Sequence, residues 1–181
     1  KKEKDKFMGN ITQVFLENNN YIVRTIERAD LNERYLGWLN DPEIVNYSEL
    51  RHSKHTKSSC LTYYHSMIAS DNQFWAILVD GEHVGNLTAY VDVHNKTADL
   101  AIIIGEKKYH RKGIGKEAFG NAIALLSKGK SFRKVTAGCM ASNLPMISLM
   151  ETVGMEPDGR RFKYFLHENN EVDAVYYSIS I

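Results

Sequence analysis

Cysteine is scarce in this chain: only Cys60 and Cys139 occur in 181 residues. Two cysteines make no disulfide framework, and a chain without one fits a reducing, cytoplasmic setting. An excess of one charge is also missing. Twenty-three Lys and Arg stand against 22 Asp and Glu, a formal net charge of +1, so bulk electrostatics gives no reason to expect nucleic acid as a partner. No apolar run approaches the roughly 20 residues that span a bilayer, and no membrane partner is expected. The opening Lys1-Lys2-Glu3-Lys4-Asp5-Lys6 is charged and lacks an apolar h-region, so it does not read as a signal peptide. Residues 1–10 are expected to be a frayed or appended end. Three prolines are present, with no linker, repeat or low-complexity tract, so residues 11–181 read as one domain. Its 43% hydrophobic content suffices for a core.

Hydrophobic patterning gives the order of elements. Ile11 to Leu16 and Tyr21 to Ile26 read as strands around Glu17-Asn18-Asn19-Asn20. Asp30 reads as the N-cap of a helix through Leu31, Tyr35, Trp38 and Leu39. Asp41-Pro42 predicts a restart and a short helix near Glu43 to Val45. Thr56 to Ile68 has helical spacing. Gln73 to Val79 and His83 to Val91 flank Asp80-Gly81, a strong hairpin signal, and Asn95-Lys96 turns into a strand over Thr97 to Ile104. Helices are predicted over Gly113 to Ser127 and Asn143 to Val153, the second closed by Gly154. Strands are predicted over Lys134 to Met140, Met155 to Leu166 and Val172 to Ile181. The order, ββααβββαβαββ, describes a mixed α/β sheet, mostly antiparallel, with a parallel crossover.

The densest chemical signal is Tyr109-His110-Arg111-Lys112-Gly113-Ile114-Gly115-Lys116. It joins the β-branched run Ile102-Ile103-Ile104 to a helix. Glycines let backbone approach an anion, a helix N-terminus offers unpaired N–H groups and partial positive charge, and Arg111, Lys112 and Lys116 add full charges. A phosphorylated ligand is therefore expected. The segment is no Walker loop and lacks the setting of a Rossmann fingerprint.

The turn, the element order and a downstream run (Asn143, Ser148, Gly154-Met155, Gly159) together resemble the GNAT superfamily of acetyl-CoA-dependent N-acetyltransferases. That family's turn is Gln/Arg-x-x-Gly-x-Gly/Ala; here it reads His110-Arg111-Lys112-Gly113-Ile114-Gly115, with His110 in the first place, a residue able to donate to phosphate. Trp38-Leu39-Asn40-Asp41-Pro42-Glu43 and Phe74-Trp75-Ala76-Ile77 are similar to phrases in the branch that acetylates ribosomal-protein N-termini and nucleotide-sugar amines. The resemblance implies an α+β fold, a twisted and mostly antiparallel sheet flanked by helices. Its fourth and fifth strands, in the family's count, splay to admit the coenzyme. It also implies acetyl-CoA as co-substrate, with diphosphate on the backbone from Arg111 to Lys116. The pantetheine arm would lie along Ile102 to Ile104, a backbone N–H near Ile103 would polarise the thioester carbonyl, and Asn143 would touch the arm.

The chemistry implied is attack of a neutral amine on a thioester, without a covalent enzyme intermediate. Asp99 is the candidate base; its ordinary pKa near 3.9 is low for that work, so burial or a water relay is required, and the bland alternative is a solvated carboxylate. Ser148 is the candidate proton donor to the thiolate, against a helix hydroxyl bonded to its own turn. The tyrosine common two residues further on is replaced by Met150. Acceptor-pocket candidates are Trp38, Tyr47, Arg51, Trp75 and Tyr164, although such aromatics are more often core; Arg24, Arg28 and Arg51 are candidates for a second phosphate. His52 and His55 have no second pair at metal spacing, so no metal is expected, and Cys139 reads as inert core. The favoured acceptor is a small-molecule amine such as a nucleotide-linked amino sugar, with the chain a monomer or homodimer. The rivals are a peptide N-terminus as acceptor, a non-catalytic acetyl-CoA sensor and a plain nucleotide-binding domain.

Overall fold

The computed structural model describes residues 14–16, 19–128 and 131–181. The readings of residues 1–10, of the first strand's start and of the turn at Glu17-Asn18 lie outside these. The described elements run β1 (Val14–Leu16), β2 (Asn19–Thr25), α1 (Glu33–Leu39), α2 (Lys57–Ala69), β3 (Gln73–Val79), β4 (Glu82–Asp92), β5 (Thr97–Ile104), α3 (Ile114–Ser127), β6 (Lys134–Met140), α4 (Leu144–Thr152), β7 (Glu156–His167) and β8 (Asn170–Ser180). No described helix is long and apolar enough to cross a membrane.

Local chemistry sets the boundaries. Asp80 and Gly81 take φ of 50° and 76°, and Glu168 and Asn169 take 50° and 63°, the twin left-handed pair that lets a two-residue hairpin follow strand twist. Thr56 caps α2 in a reciprocal box with Ser59. Pro145 sits in the first turn of α4, where its missing N–H costs nothing, and Asn143 caps that helix.

The strands form one sheet in the order β1-β2-β3-β4-β5-β6-β8-β7, antiparallel throughout except for β5 beside β6. Strand alternation sorts side chains onto two faces. On one face, Tyr21, Val23, Trp75, Ile77, Leu87, Leu100 and Val135 pack under α3 and α4, centred on the fully buried Phe119 and Leu126. On the other face, Phe74, Ala76 and Ile103 pack against Tyr35, Trp38, Leu39, Cys60 and Met67 of α1 and α2. Each large side chain so buried contributes about 1.5–3 kcal/mol.

Three expectations need correction here. Asp30 does not cap α1. It closes a 3-10 turn (Arg28–Asp30) while gripping Arg24 through two bonds of 2.7 and 2.8 Å, and Asn32 caps α1 instead, accepting from Arg34 and Tyr35. Glu43 to Val45 is a set of turns hung on the Asp41 carbonyl rather than a helix; a 3-10 turn follows at Glu49–His52. Trp38 and Trp75 are 5% and 1% exposed, so both are core rather than pocket walls. Trp38 keeps one polar link, donating from Nε1 to Glu106 at 3.1 Å.

Gly105 meets that tryptophan. A Cβ built there would stand 1.9 Å from Trp38 Cδ2, with the indole pinned by Glu106. Gly105→Ala should therefore lower stability by about 3 kcal/mol or more, read as a drop in denaturation midpoint with unchanged slope. An unshifted midpoint would show that the ring swings aside freely.

Candidate active site

β5 and β6 pair only at Thr97–Lys134, Ala98–Val135 and Asp99–Thr136. They then part, although β5 runs on to Ile104 and β6 to Met140. This opens a wedge in the middle of an eight-stranded sheet. Gly105 N donates to Val84 O at 2.9 Å, and antiparallel bonds recur at every second residue. Ala101 and Ile103 therefore bond back to β4, while beyond the last rung at Asp99–Thr136 Ile102 turns its N–H and C=O, and Ile104 its N–H, into the wedge. The donor expected near Ile103 thus belongs to its two neighbours. Ile103 serves instead as a side chain under α1 and α2.

Burial confirms the opening. Residues in mid-sheet are ordinarily covered, yet Asp99, Ala101 and Gly138 are exposed, all on the α1/α2 face. Asp99 stands where the strands separate, with Tyr90 and Thr136 directly opposite on its two sides. Thr136 Oγ1 donates to its carboxylate at 2.6 Å, and Tyr63 of α2 braces Tyr90 through hydroxyls 2.8 Å apart. Asp99 faces an opening, but protein on both flanks takes it out of bulk water. That desolvation raises its pKa above the ordinary value, and the Thr136 bond only partly offsets it.

Beyond β5 lies the glycine turn. A 3-10 turn over Lys107–Tyr109 leads to Arg111 at φ 59° and to Gly113 at φ 82°, which stands at the N-cap of α3 with no side chain to satisfy the helix. The first N–H groups of α3 are left for an outside acceptor. Lys107 and Lys108 hold the turn in place through Asp41 and Glu43 and through Glu82. Arg111, Lys112 and Lys116 are exposed and have no carboxylate partner among the described residues. His110 is spent differently from expectation: its Nε2 donates to Ile104 O at 2.8 Å, bracing the end of β5. Gly115 lets the helix settle against the wedge, since a Cβ there would be 3.4 Å from Leu149, 3.8 Å from Ile104 and 3.9 Å from Ile102. A shallow groove of about 330 Å³ continues between α3 and α4, from Lys116 past Gly120 to Thr152 and Val153. Donors for a diphosphate, an apolar wall and an unpaired strand edge thus follow one another, which fits an acyl-coenzyme A.

Residues 20–156 match the family described as the acetyltransferase (GNAT) domain. The chain is a GNAT acetyltransferase. N-alpha-acetyltransferase 30 of Xenopus laevis is 32% identical over 101 residues, 54% of this chain but only 36% of that protein. The ribosomal-protein acetyltransferase RimL, solved with coenzyme A, superposes with a TM-score of 0.84 at 10% identity, covering 93% of this chain and 98% of its own. Spermidine N-acetyltransferase from Vibrio cholerae, solved with coenzyme A and spermine, gives 0.79 at 17% identity, covering 89% and 95%.

The chain carries that family's domain over residues 20–156. Its β5 and β6 are the strands that the family resemblance expected to splay. The remaining predicted residues divide. Asn143 serves as a cap: its Oδ1 accepts from Met146 N at 3.2 Å. Ser148 lies on the exposed side of α4 and lends its carbonyl to Thr152 Oγ1 at 2.6 Å. Met150 is fully buried. Tyr47 stacks on His167 at 5.4 Å, and Arg51 reaches Leu166 O at 3.3 Å, so these two join the loop after α1 to the β7–β8 hairpin. Arg51 is largely consumed as that strut, bonding also to Ser48 and Glu49. Arg24 is committed to Asp30 and is no second-phosphate group. Tyr164 is exposed on the hairpin.

Sequence reasoning missed Thr136, Gly138, Arg161 and Tyr176, each of which lies at the wedge or its rim on a strand other than β5. No group of three or more metal-ligating side chains occurs among the described residues. Burial pushes the Cys139 thiol up to about 11 and raises that of Cys60 as well. Both should react with iodoacetamide at pH 8 roughly tenfold or more slowly than in the unfolded chain. Fast labelling of Cys139, followed by mass spectrometry, would reveal a thiolate instead.

Proposed function

We propose that the chain transfers an acetyl group from acetyl-CoA to a primary amine by direct attack while both substrates are held, and that the acceptor is a small amine-bearing molecule such as a nucleotide-linked amino sugar. The observation that carries this reading is the mid-sheet opening at Asp99, Ala101 and Gly138. The coenzyme's own share is an activated thioester carbonyl. Everything else falls to this chain. The N–H groups of Ile114, Gly115 and Lys116, with Arg111 and Lys112, would hold the diphosphate. The edge at Ile102 and Ile104 would pair with the amide arm, and the strand distance from Ile104 back to Asp99, about 17 Å, suits an extended arm. The carbonyl would then lie at the point of separation, with the free N–H groups of that edge beside the oxygen that gains charge.

Asp99 faces the acceptor's side of the sheet, and its raised pKa suits removal of the amine's proton. The leaving thiolate has only Ser148 as a hydroxyl of α4 in its neighbourhood among the predicted residues. The acceptor would enter on the α1/α2 face, beside the Tyr47–His167 stack and Tyr164 of the same hairpin. An aromatic and basic lining supports a small, polar acceptor. A peptide α-amine is the second reading, favoured by the similarity to N-alpha-acetyltransferase 30.

The test is release of free coenzyme A thiol from acetyl-CoA with a panel of amino sugars, their nucleotide conjugates, polyamines and short peptides. Turnover of amino sugars above peptides is expected. Peptides ahead of all small amines would establish the second reading. Acetyl-CoA binding without turnover of any amine would leave a sensor.

A further inference from the structure

The far lip of the wedge carries an arginine whose position nothing in the turn-and-helix motif explains. Tyr176 of β8 lies opposite Gly138, and its ring covers that glycine: a Cβ at Gly138 would be 2.8 Å from Cδ1 and 3.0 Å from Cε1. Over the same ring, at 5.2 Å, sits the guanidinium of Arg161, which is also 5.0 Å from the ring of Tyr164. The two cation–π contacts hold the guanidinium, and no carboxylate or hydrogen-bond acceptor engages it among the described residues.

Regular pairing sets Arg161 diagonally from Tyr176, and β7 is distorted just beyond it, where Tyr164 lies. The β7–β8 register jumps from Arg161–Ala174 to Phe165–Val172, so two extra residues are looped out of β7. Lys163 is forced to φ 52°, an uncommon and costly state for a side-chain-bearing residue. Asp173 pays for it, accepting from Lys163 N at 2.7 Å and from Arg160 Nε at 2.6 Å. The same carboxylate therefore removes Arg160 from play and folds Tyr164 back over Arg161. Bulges that re-aim a side chain beside a site are conserved devices of sheets rather than faults.

We propose that Arg161, held against Tyr164 and Tyr176, recognises an anionic oxygen group, carboxylate or phosphate, carried by the acceptor. This rests on the transferase reading above. It makes the enzyme selective for anionic amines over neutral ones and against polycations. A guanidinium held by aromatic rings and free of a carboxylate keeps the N–H fork with which arginine binds planar or tetrahedral oxyanions bidentately.

The full chain with saturating acetyl-CoA is assayed on matched amines: glucosamine against glucosamine 6-phosphate, alanine amide against alanine, and spermidine. One anionic member should exceed its neutral partner by about 10- to 100-fold in kcat/KM; which pair responds tells phosphate from carboxylate. Arg161→Gln should raise KM for that member and shrink the ratio to within about threefold, with acetyl-CoA affinity unchanged, while Arg161→Lys restores part of it. Asp173→Asn, which frees the bulge, should reduce the ratio in the same direction. Preference for spermidine or the neutral members, or ratios untouched in Arg161→Gln, overturns the anion site and leaves the transferase standing. If no amine is turned over although acetyl-CoA binds, the transferase reading falls. Calorimetry of glucosamine 6-phosphate and alanine on the coenzyme-A-loaded protein then decides: binding lost in Arg161→Gln upholds the anion site, and no binding to the parent chain sinks it.

Discussion

Gly115→Asp should bind acetyl-CoA at least about 100-fold more weakly than the parent chain. The first turn of α3 has three N–H groups turned outward and three nearby cations, and the substitution would set a carboxylate among them. A like charge about 6 Å from a phosphate, at an effective dielectric near 20, costs about 2–3 kcal/mol, and two phosphates are involved. Sterics add to this, since the new Cβ would already stand 3.4 Å from Leu149 and the carboxylate beyond it would crowd Ile102 and Ile104. Gly113→Asp should act in the same direction for a different reason. Space there is open, but φ is +82°, so backbone strain joins the charge. Calorimetry on a variant with native circular dichroism checks both; unchanged affinity in Gly115→Asp would mean that the diphosphate is held elsewhere.

Asp99→Asn should lower kcat by about 10²–10⁴-fold with acetyl-CoA affinity kept, the usual scale for a positioned base. The isosteric amide can still accept from Thr136, so geometry survives while basicity is lost. The pH profile supplies an independent sign. The carboxylate must be ionised to take a proton, and desolvation raises its pKa. The rate of the parent chain should therefore fall on acidification at a higher pH than an ordinary aspartate would give. Stability should move the other way. A carboxyl whose folded pKa is raised favours the fold when protonated and opposes it once ionised, so the amide should be neutral or stabilising near pH 7. Lost turnover together with retained stability separates catalysis from unfolding. Normal turnover across pH would remove Asp99 from the reaction.

Much of this architecture is written in local sequence. The order of strands and helices, the Asp80-Gly81 hairpin, the Thr56 cap and the glycine turn each depend on residues within a few positions of one another. What resisted reading depends on partners far along the chain. Asp30 has the look of a cap because an acid before a helix usually is one, but Arg24 on β2 claims it. Trp38 and Trp75 look like pocket aromatics until the sheet face is known, and then each is interior. His110 stands in a phosphate-contacting position of the motif, yet the carbonyl at the end of β5 is nearer. The acceptor's rim was the least legible part. Gly138, Arg161 and Tyr176 are on three strands, and only pairing through β8 brings the arginine over the ring that lies against the glycine.

The parting of β5 from β6 has a kinetic consequence. An aperture through the sheet has two mouths, so in the proposed transfer donor and acceptor would approach along separate routes and neither would have to queue behind the other. Initial velocities should follow intersecting rather than parallel lines, and either reactant should be able to load first.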